Sequence, residues 1–341
     1  MGLFSYFNQE LAIDLGTANT IITYNDKIVV DEPSIIAIDN DTKKVVAVGQ
    51  QARQMHGKTH AHIRTIRPLK DGVIADFYAA ELMLREFIRK INPRRRFFSP
   101  SLKLVIAIPS GSTEVEIRAV RDSSEHAGAR EVYMIYEPMA AAIGIGLDVE
   151  APEGNVVVDI GGGTTEIAVI SLSGIVCNKS IRVAGDVFTA DIMEYMRTQH
   201  NMKVGERTAE EIKIKVGAAV TDLDNPPPDY IVKGPSLTAS MPLEIPVSYQ
   251  EIAHCLDKSI SRIESAIQTV LEETPAELYK DITNNCIYLA GGGSQIRGLD
   301  KRLTDKFNLK FKVATDPLLA VAKGTNTVLK NLNRFQSILM R

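Results

Sequence analysis

The 341-residue sequence carries 39 Lys and Arg against 42 Asp and Glu, a net charge of −3, with 45% apolar and 24% charged residues. This usage excludes wholesale disorder, the faint acidity argues against a dedicated nucleic-acid binder, and no run of about 18 apolar residues is present to span a bilayer as a helix. The length predicts two domains around a cleft, and the three cysteines (Cys177, Cys255, Cys286), far apart and without a CxxC, speak for a reducing cytosol and against a zinc site.

In chain order, the first seven residues, Met1-Gly2-Leu3-Phe4-Ser5-Tyr6-Phe7, are apolar and aromatic. They lack the basic start and small-residue cleavage site of a secretory signal, and Tyr6 stands where a myristoylation pattern wants Ser or Thr. On the residues alone, a docked terminus and a short amphipathic membrane anchor are equally open. Residues 11–13, 20–24, 27–30, 34–38 and 45–48 form short β-rich runs broken by Gly, Asn and Asp. His60 and His62 could share a strand face, but they read as surface residues, and no HExxH is present. Asp76 reads as the N-cap of a helix through Ile91, with Leu84, Phe87, Ile88 and Ile91 on one face. A buried strand is expected over 102–108. Thr113 and Glu116 form a capping-box pattern for a helix ending near Gly128. After a short strand at 132–135, Pro138 suits the first helical position before the Ala-rich 139–146.

The pattern restarts after Pro152. Strands are expected at 156–158, 166–171 and 286–290, and helices at 186–200, 206–220 and 249–273. Segments 225–228 and 234–246, rich in Pro and turn residues, read as loops or edge strands. Asp316-Pro317 reads as the cap and first turn of the last helix. Strands and helices interleaved this way indicate an α/β architecture.

One internal repeat stands out. Ala12-Ile13-Asp14-Leu15-Gly16-Thr17-Ala18-Asn19-Thr20 matches Val157-Val158-Asp159-Ile160-Gly161-Gly162-Gly163-Thr164-Thr165, so that Asp14, Gly16 and Thr20 pair with Asp159, Gly161 and Thr165 at a constant offset of 145 residues. An apolar strand holds such a turn rigidly, and glycine lets backbone approach a ligand without a Cβ clash. Successive N–H groups then form an anion nest, with Thr or Asn adding donors. An Asp at the turn entry can hold Mg²⁺ directly or through water. Two such turns facing each other would grip a polyphosphate; the plainer alternative is a pair of tight structural hairpins. A third glycine-rich element, Ala290-Gly291-Gly292-Gly293-Ser294, follows a strand and precedes an apparent helix. Two other nucleotide motifs fail. Gly57-Lys58-Thr59 would need Gly where Ala52 stands, and no GxGxxG opens a βαβ unit.

Together these elements resemble the actin, heat-shock-chaperone and sugar-kinase superfamily. Within it, the first turn is similar to that of the MreB family of bacterial actins. So are Asp31-Glu32-Pro33-Ser34, Ile66-Arg67-Pro68, Asp71-Gly72-Val73-Ile74-Ala75-Asp76, Tyr136-Glu137-Pro138-Met139-Ala140-Ala141-Ala142-Ile143-Gly144, Gly205-Glu206-Arg207-Thr208-Ala209-Glu210 and Val321-Ala322-Lys323-Gly324. The resemblance runs from the first residues to about Leu329. It implies an actin-like α/β fold of two duplicated ribonuclease-H-like domains around a nucleotide cleft. Domain I would be 1–146 plus 316–341 with a small subdomain at about 34–66, and domain II 147–315 with one at about 184–245.

The resemblance also implies roles. ATP and Mg²⁺ would be the cofactors, with Asp14 and Asp159 organising the metal through water. Gly16, Thr17, Ala18 and Asn19, with Gly161, Gly162, Gly163 and Thr164, would clamp the phosphates. Glu137 falls where the family keeps the residue that positions or deprotonates the attacking water; on its own it reads as a helix-start carboxylate favoured by the dipole. Glu210 and Lys213 would contact the ribose, against a plain reading as a surface ion pair worth a few tenths of a kcal/mol. Gly292 and Gly293 would lie against the adenosine, and Gly185 and Gly291 would join the cofactor site. Tyr136 departs from the family, which often has Glu there.

The family's membrane anchor fits Leu3, Phe4 and Phe7, and its hydrophobic loop fits Pro93-Arg94-Arg95-Arg96-Phe97-Phe98. Basic residues draw anionic headgroups while rings enter the interface, and filament avidity would multiply weak single contacts. The same cluster could bind single-stranded nucleic acid, but one cluster in an acidic chain makes a poor case for that. The implied protein is a slow ATPase that forms head-to-tail filaments, in paired protofilaments, peripheral on the inner face of the cytoplasmic membrane. There it would work with cell-wall elongation proteins to set cell shape. Two alternatives are a plasmid-segregating actin-like filament, which would have no use for the Phe-rich terminus, and a small-molecule kinase of the same superfamily, which would need a substrate pocket. A chaperone ATPase would need a peptide-binding domain, for which the residues after 329 leave no room.

Overall fold

The computed structural model describes residues 8–91, 101–238 and 241–340. The expected membrane residues Leu3, Phe4, Phe7, Phe97 and Phe98 lie outside them. The chain forms two compact units, one running up to Pro152 with Ile170–Ile175 and Leu319 onward, the other Glu153–Val169 with Val176–Leu318.

The first unit is built on a five-stranded sheet of β1 (Asn8–Leu15), β2 (Asn19–Tyr24), β3 (Lys27–Pro33), β4 (Ser101–Ile108) and β5 (Ala129–Tyr136), in the order β5-β4-β1-β2-β3. β1, β2 and β3 form an antiparallel meander, whereas β4 runs parallel to both β1 and β5. The second unit repeats this plan with β6 (Asn155–Ile160), β7 (Thr165–Ser171), β8 (Gly174–Ile181), β9 (Ile287–Ala290) and β10 (Phe311–Val313), in the order β8-β7-β6-β9-β10. β9 runs parallel to β6 and to β10. Read from its other edge, that sheet has the topology of the first. The final parallel crossover is helical in both, through Glu114–His126 in one and Leu299–Phe307 in the other, as parallel neighbours require. The motif repeat is therefore a repeat of the whole sheet.

Both central sheets are covered on two faces. Five of the last six residues of β4 are buried without alternation, and β7 is buried along its full length. Leu11, Ile13, Leu104 and Ile106 anchor one core, and Val158, Ile160, Ile167 and Val169 the other. Smaller sheets of Ile36–Asp39, Val45–Val48 and Ile63–Ile66, and of Tyr230–Pro235 with Pro242–Val247, sit in the two long connections.

Several local expectations hold. Asp76 Oδ1 accepts the Ala79 N–H at the head of Phe77–Ile91. Thr113 and Glu116 exchange both capping-box bonds. The helix Tyr249–Glu273 has the expected bounds, and a second capping box, Ser248 with Glu251, starts it. Others differ for physical reasons. The helix expected to reach residue 220 ends at Val216, because the carbonyl of Gly217 and the N–H of Ala219 pair with the backbone of Arg297. Asp316-Pro317 opens a 3-10 turn rather than the last α-helix, which starts at Ala320; the Pro317 carbonyl accepts the Gly291 N–H. Helices Gln50–Met55, Ala276–Asn284 and Leu299–Phe307 escape the periodicity reading because they are short.

Within the first unit, helix Glu137–Gly144 crosses Ala320–Lys330 with backbone against backbone. A Cβ on Gly144 would lie 1.8 Å from the Ala320 carbonyl oxygen, and a Cβ on Gly324 would lie 1.8 Å from that of Ala140. The crossing fixes the helix that Glu137 begins. Replacing a helical Gly by Ala ordinarily stabilises by about 1 kcal/mol. Here the sign reverses: Gly324→Ala is expected to destabilise by about 2–4 kcal/mol through forced separation of the helices. A melting temperature above that of the parent would refute the close crossing.

Candidate functional site

Each central strand ends in an aspartate and a glycine turn. In the first turn the Gly16 N–H donates to the Asn19 carbonyl at 3.1 Å, and in the second the Gly161 N–H donates to that of Thr164 at 2.9 Å. The closing bond thus recurs at the same offset of 145 residues. A Cβ on Gly16 would stand 2.8 Å from the Asn19 oxygen, and on Gly161 3.3 Å from that of Thr164. Glycine at the turn entry is a steric requirement in the first copy, and in the second a Cβ would be a tight fit.

The surroundings of the two turns differ. In the first, the Ser34 hydroxyl donates to the Gly16 carbonyl at 2.6 Å and meets the Thr20 hydroxyl at 2.9 Å, while the Ser34 N–H donates to Ala18. The buried Thr17 hydroxyl accepts the Gly72 N–H at 3.0 Å. Gly72 and Asp71 both have positive φ, so the Asp-Gly turn between strands Leu69–Lys70 and Val73–Ile74 is pinned to the glycine turn. In the second copy, backbone does the same work. The Gly185 N–H donates to Gly161 and the Asp186 N–H to Gly162, while the buried Thr165 hydroxyl donates to Val183.

Gly185 opens helix Gly185–Gln199 and brings Lys213 and Glu210 to the second turn. The Lys213 ammonium donates to the Gly185 carbonyl at 2.8 Å and to the Thr189 hydroxyl at 3.0 Å, and pairs with Glu210 at 2.7 Å. Thr189 in turn donates to Glu210. With its side chain only 13% exposed, Lys213 belongs to a packed network and not to a surface pair. A Cβ on Gly185 would meet the Gly161 oxygen at 3.2 Å and Lys213 Nζ at 3.3 Å.

The third glycine element packs against the same strand end. Asp159 pairs in parallel register with Ala290. Gly291, at φ +76°, leaves no room for a side chain, since its Cβ would fall 2.3 Å from the Ile160 oxygen and 2.4 Å from Asp159 Oδ1. A Cβ on Gly293 would strike the Ile160 side chain at 2.3 Å. Gly292 sits between them, and the apparent helix is a 3-10 turn, Gly292–Gln295.

Asp14, next to last in β1, is level with Ala107 of β4, which is level with Ile135 of β5. Glu137 therefore leaves the same end of the sheet, two strands from Asp14, as the first residue of a helix whose N-terminus favours its charge. Pro138 occupies the first turn of that helix, where its missing N–H costs nothing. Asp14 is closely surrounded by protein though not fully covered, and this burial pushes its carboxyl up to about 7. A carboxylate whose ionisation costs energy is one that a cation would stabilise, and Asp159 stands at the matching position of the other unit.

The structure thus gathers Asp14, Gly16, Thr17, Ala18 and Asn19 at one sheet end with Glu137. It gathers Asp159, Gly161, Gly162, Gly163, Thr164, Gly185, Glu210, Lys213, Gly291, Gly292 and Gly293 at the equivalent end of the other. Ser34, Gly72 and Thr189 were not anticipated. Ser34 and Gly72 lie in strings that marked the family resemblance, so a signal was present without a role.

The MreB/Mbl protein family matches residues 8–337. The cell shape-determining protein Mbl of Bacillus subtilis (strain 168) is 42% identical, covering 96% of this chain and 98% of its own. The cell shape-determining protein MreB of Escherichia coli (strain K12) is 44% identical, with coverages of 96% and 95%. Among solved structures, MreB5 of Spiroplasma citri bound to AMPPNP superposes with a TM-score of 0.90 at 36% identity, covering 97% of this chain and 98% of that one. A MamK double helical filament, at 20% identity and a TM-score of 0.80, shares the fold. The fold is actin-like, and the chain belongs to the MreB/Mbl family.

Proposed function

We propose that this protein is an ATP-dependent, filament-forming cytoskeletal protein. Its subunits assemble head to tail, in paired protofilaments, on the inner face of the cytoplasmic membrane. There the filaments organise cell-wall elongation proteins and so cell shape, hydrolysing ATP slowly. The observation that carries the reading is the duplicated glycine turn, closed by the same hydrogen bond in both units behind matching aspartates. Family membership supports the cytoskeletal role, since the relatives at 42% and 44% identity are cell shape-determining proteins. Nucleotide binding draws support from MreB5 of Spiroplasma citri, whose solved structures hold AMPPNP in one case and ADP in the other. Among the described residues no helix is long and apolar enough to cross a membrane, so attachment would fall to Leu3, Phe4, Phe7, Phe97 and Phe98.

In this reading the N–H groups and hydroxyls of residues 16–19 and 161–164 take the phosphates. Glu210 and Lys213 hold the ribose, while Gly185 and residues 291–293 admit the nucleotide to the backbone. Asp14 and Asp159 fit Mg²⁺, which when bound neutralises polyphosphate charge. Glu137 accepts a hydrogen bond from a water and aims it at the γ-phosphorus. The new P–O bond forms as the bond to the ADP oxygen breaks, and catalysis is mostly positioning.

Removing the base while keeping its shape isolates that role. Glu137→Gln is expected to lower phosphate release by about 100-fold or more while ATP-dependent sedimentation persists. An unchanged rate takes Glu137 out of the reaction.

Asp14 gives a pH signature. Its folded carboxyl titrates near 7, well above the ordinary value of about 3.9. The nucleotide-free fold therefore holds a proton that the unfolded chain has already released, and it loses stability as pH rises from about 4 through 7. The stability advantage of Asp14→Asn over the parent should grow by about 2 kcal/mol between pH 5.5 and pH 8, roughly half of the ~4 kcal/mol that accrues from pH 4 upward, while Mg²⁺-dependent ATP binding is lost. A difference that stays constant between the two pH values contradicts the buried-carboxylate account.

Assembly and attachment are read separately. The full-length protein should sediment and form filaments with ATP and Mg²⁺, and Asp159→Ala should do neither. It should also float with anionic liposomes, and flotation should be lost when residues 1–7 are deleted and Phe97 and Phe98 become Ser. Equal flotation of the two proteins removes the membrane claim; absence of filaments, with or without lipid, removes the central one.

A further inference from the structure

Unit two carries a groove of about 310 Å³ between the edge strand β8 and the helix Tyr249–Glu273. Its lining comes from Lys179, Ile181 and Val183 on one side, and from Arg262, Ser265, Ala266 and Thr269 on the other. The helix residues fall at i, i+3, i+4 and i+7, one face of the helix, and Lys179 and Ile181 share one face of the strand. The floor is apolar, the walls carry two hydroxyls and two cations, and no acidic side chain lines the groove. The proposed nucleotide roles use none of these residues.

Two further observations say what the groove fits. The first is charge. Arg302, which packs against the same long helix, is held by Glu264 and Asp257, yet Lys179 and Arg262 have no carboxylate partner among the described residues. The groove is a locally cationic site in a chain of net charge −3. The second is the sheet edge. β8 is the terminal strand of its sheet, with β7 as its neighbour on one side only. Its outer edge thus presents backbone donors and acceptors beside the groove, and lysine at an edge ordinarily serves to discourage pairing with uncharged strands. A strand added there would point alternate side chains into the groove, where carboxylates would meet Lys179 and Arg262 and an apolar residue between them would meet Ile181 and Ala266.

We propose that this groove is a docking site for an extended acidic segment of a partner protein, added as a further strand along β8. Main-chain pairing would supply part of the affinity, and the two cations would select acidic over neutral sequences. The site lies outside the nucleotide residues, so it can fail while the ATP reading stands.

The test uses the full-length protein and a fluorescein-labelled probe, acetyl-Thr-Glu-Thr-Val-Thr-Glu-Thr-amide, whose two Glu and central Val share one face of a strand. Fluorescence anisotropy should show saturable binding that weakens with salt, and replacing both Glu by Gln should weaken it by about tenfold or more. Lys179→Glu with Arg262→Glu should abolish binding of the Glu peptide and create binding of its Lys counterpart. ATP-dependent sedimentation of that variant should be unchanged, which shows that it folds. Hydrogen exchange should slow at 176–181 when peptide binds. Absence of binding, protection elsewhere, indifference to the double charge reversal, or displacement of the peptide by inorganic phosphate at equal charge would each overturn the proposal, the last by making the groove a small-anion site.

Discussion

The hydrogen bond from the turn-entry glycine to the carbonyl three residues on is the constraint from which the rest follows. It closes the chain at the end of a central strand so tightly that a Cβ on Gly16 would press within 2.8 Å of the accepting oxygen. It also leaves the preceding aspartate at the strand end, fixed by parallel pairing to Ala107 in one unit and Ala290 in the other. Parallel strands demand helical crossovers, and those crossovers cover both sheet faces. In the first unit the carboxylate of Asp14 is then closely surrounded, and its proton affinity rises. In this chain the chemistry of Asp14 is a consequence of topology, with no like charge needed to explain it.

That logic was partly visible in the sequence. The repeat could be read because it rests on residue types with few alternatives: glycine where a side chain collides, aspartate where charge is wanted, threonine where a buried hydroxyl finds an acceptor. The capping box at Thr113 and the long helix from Tyr249 were legible for the same reason, since their signals are local. Elements set by distant partners were not. The early end of the helix at Val216 depends on backbone pairing with Arg297, about eighty residues away in sequence. The pairing of Glu210 with Lys213 had the spacing of a surface ion pair, and only the arrival of Gly185 and Thr189 makes it a partly buried network. Sequence spacing states which residues can meet on one helix, not what a neighbouring helix brings to them.

The glycines divide in the same way. Gly16 and Gly161 announce themselves through the repeat, whereas Gly144 and Gly324 stand in strings that mark the family resemblance without any local sign of their role, because each is required by the other helix. Their contact is symmetric: each glycine admits a carbonyl from the first turn of contact on its partner. Such a crossing tolerates almost no displacement, so the helix that begins with Glu137 is held by backbone geometry and not by adaptable side chains. A residue that must aim a water gains from this, since positioning errors near 1 Å are costly.

The two turns share a closing bond but differ in how their outer faces are tied down, and the difference has a physical meaning. The second is held by backbone N–H groups of Gly185 and Asp186, whose direction is fixed by the helix they begin. The first is held by the Ser34 N–H to Ala18 and by hydroxyls, Ser34 with Gly16 and Thr20, and Thr17 with Gly72. A hydroxyl can rotate and exchange one partner for another, acting as donor or acceptor as the charge beside it changes, whereas a helix-bound amide cannot. The Asp71-Gly72 turn meets the glycine turn through one such hydroxyl, that of Thr17. The outer face of one turn is thus tied by helix amides and that of the other largely by hydroxyls, and it is the hydroxyl-tied turn that follows the aspartate whose ionisation is costly.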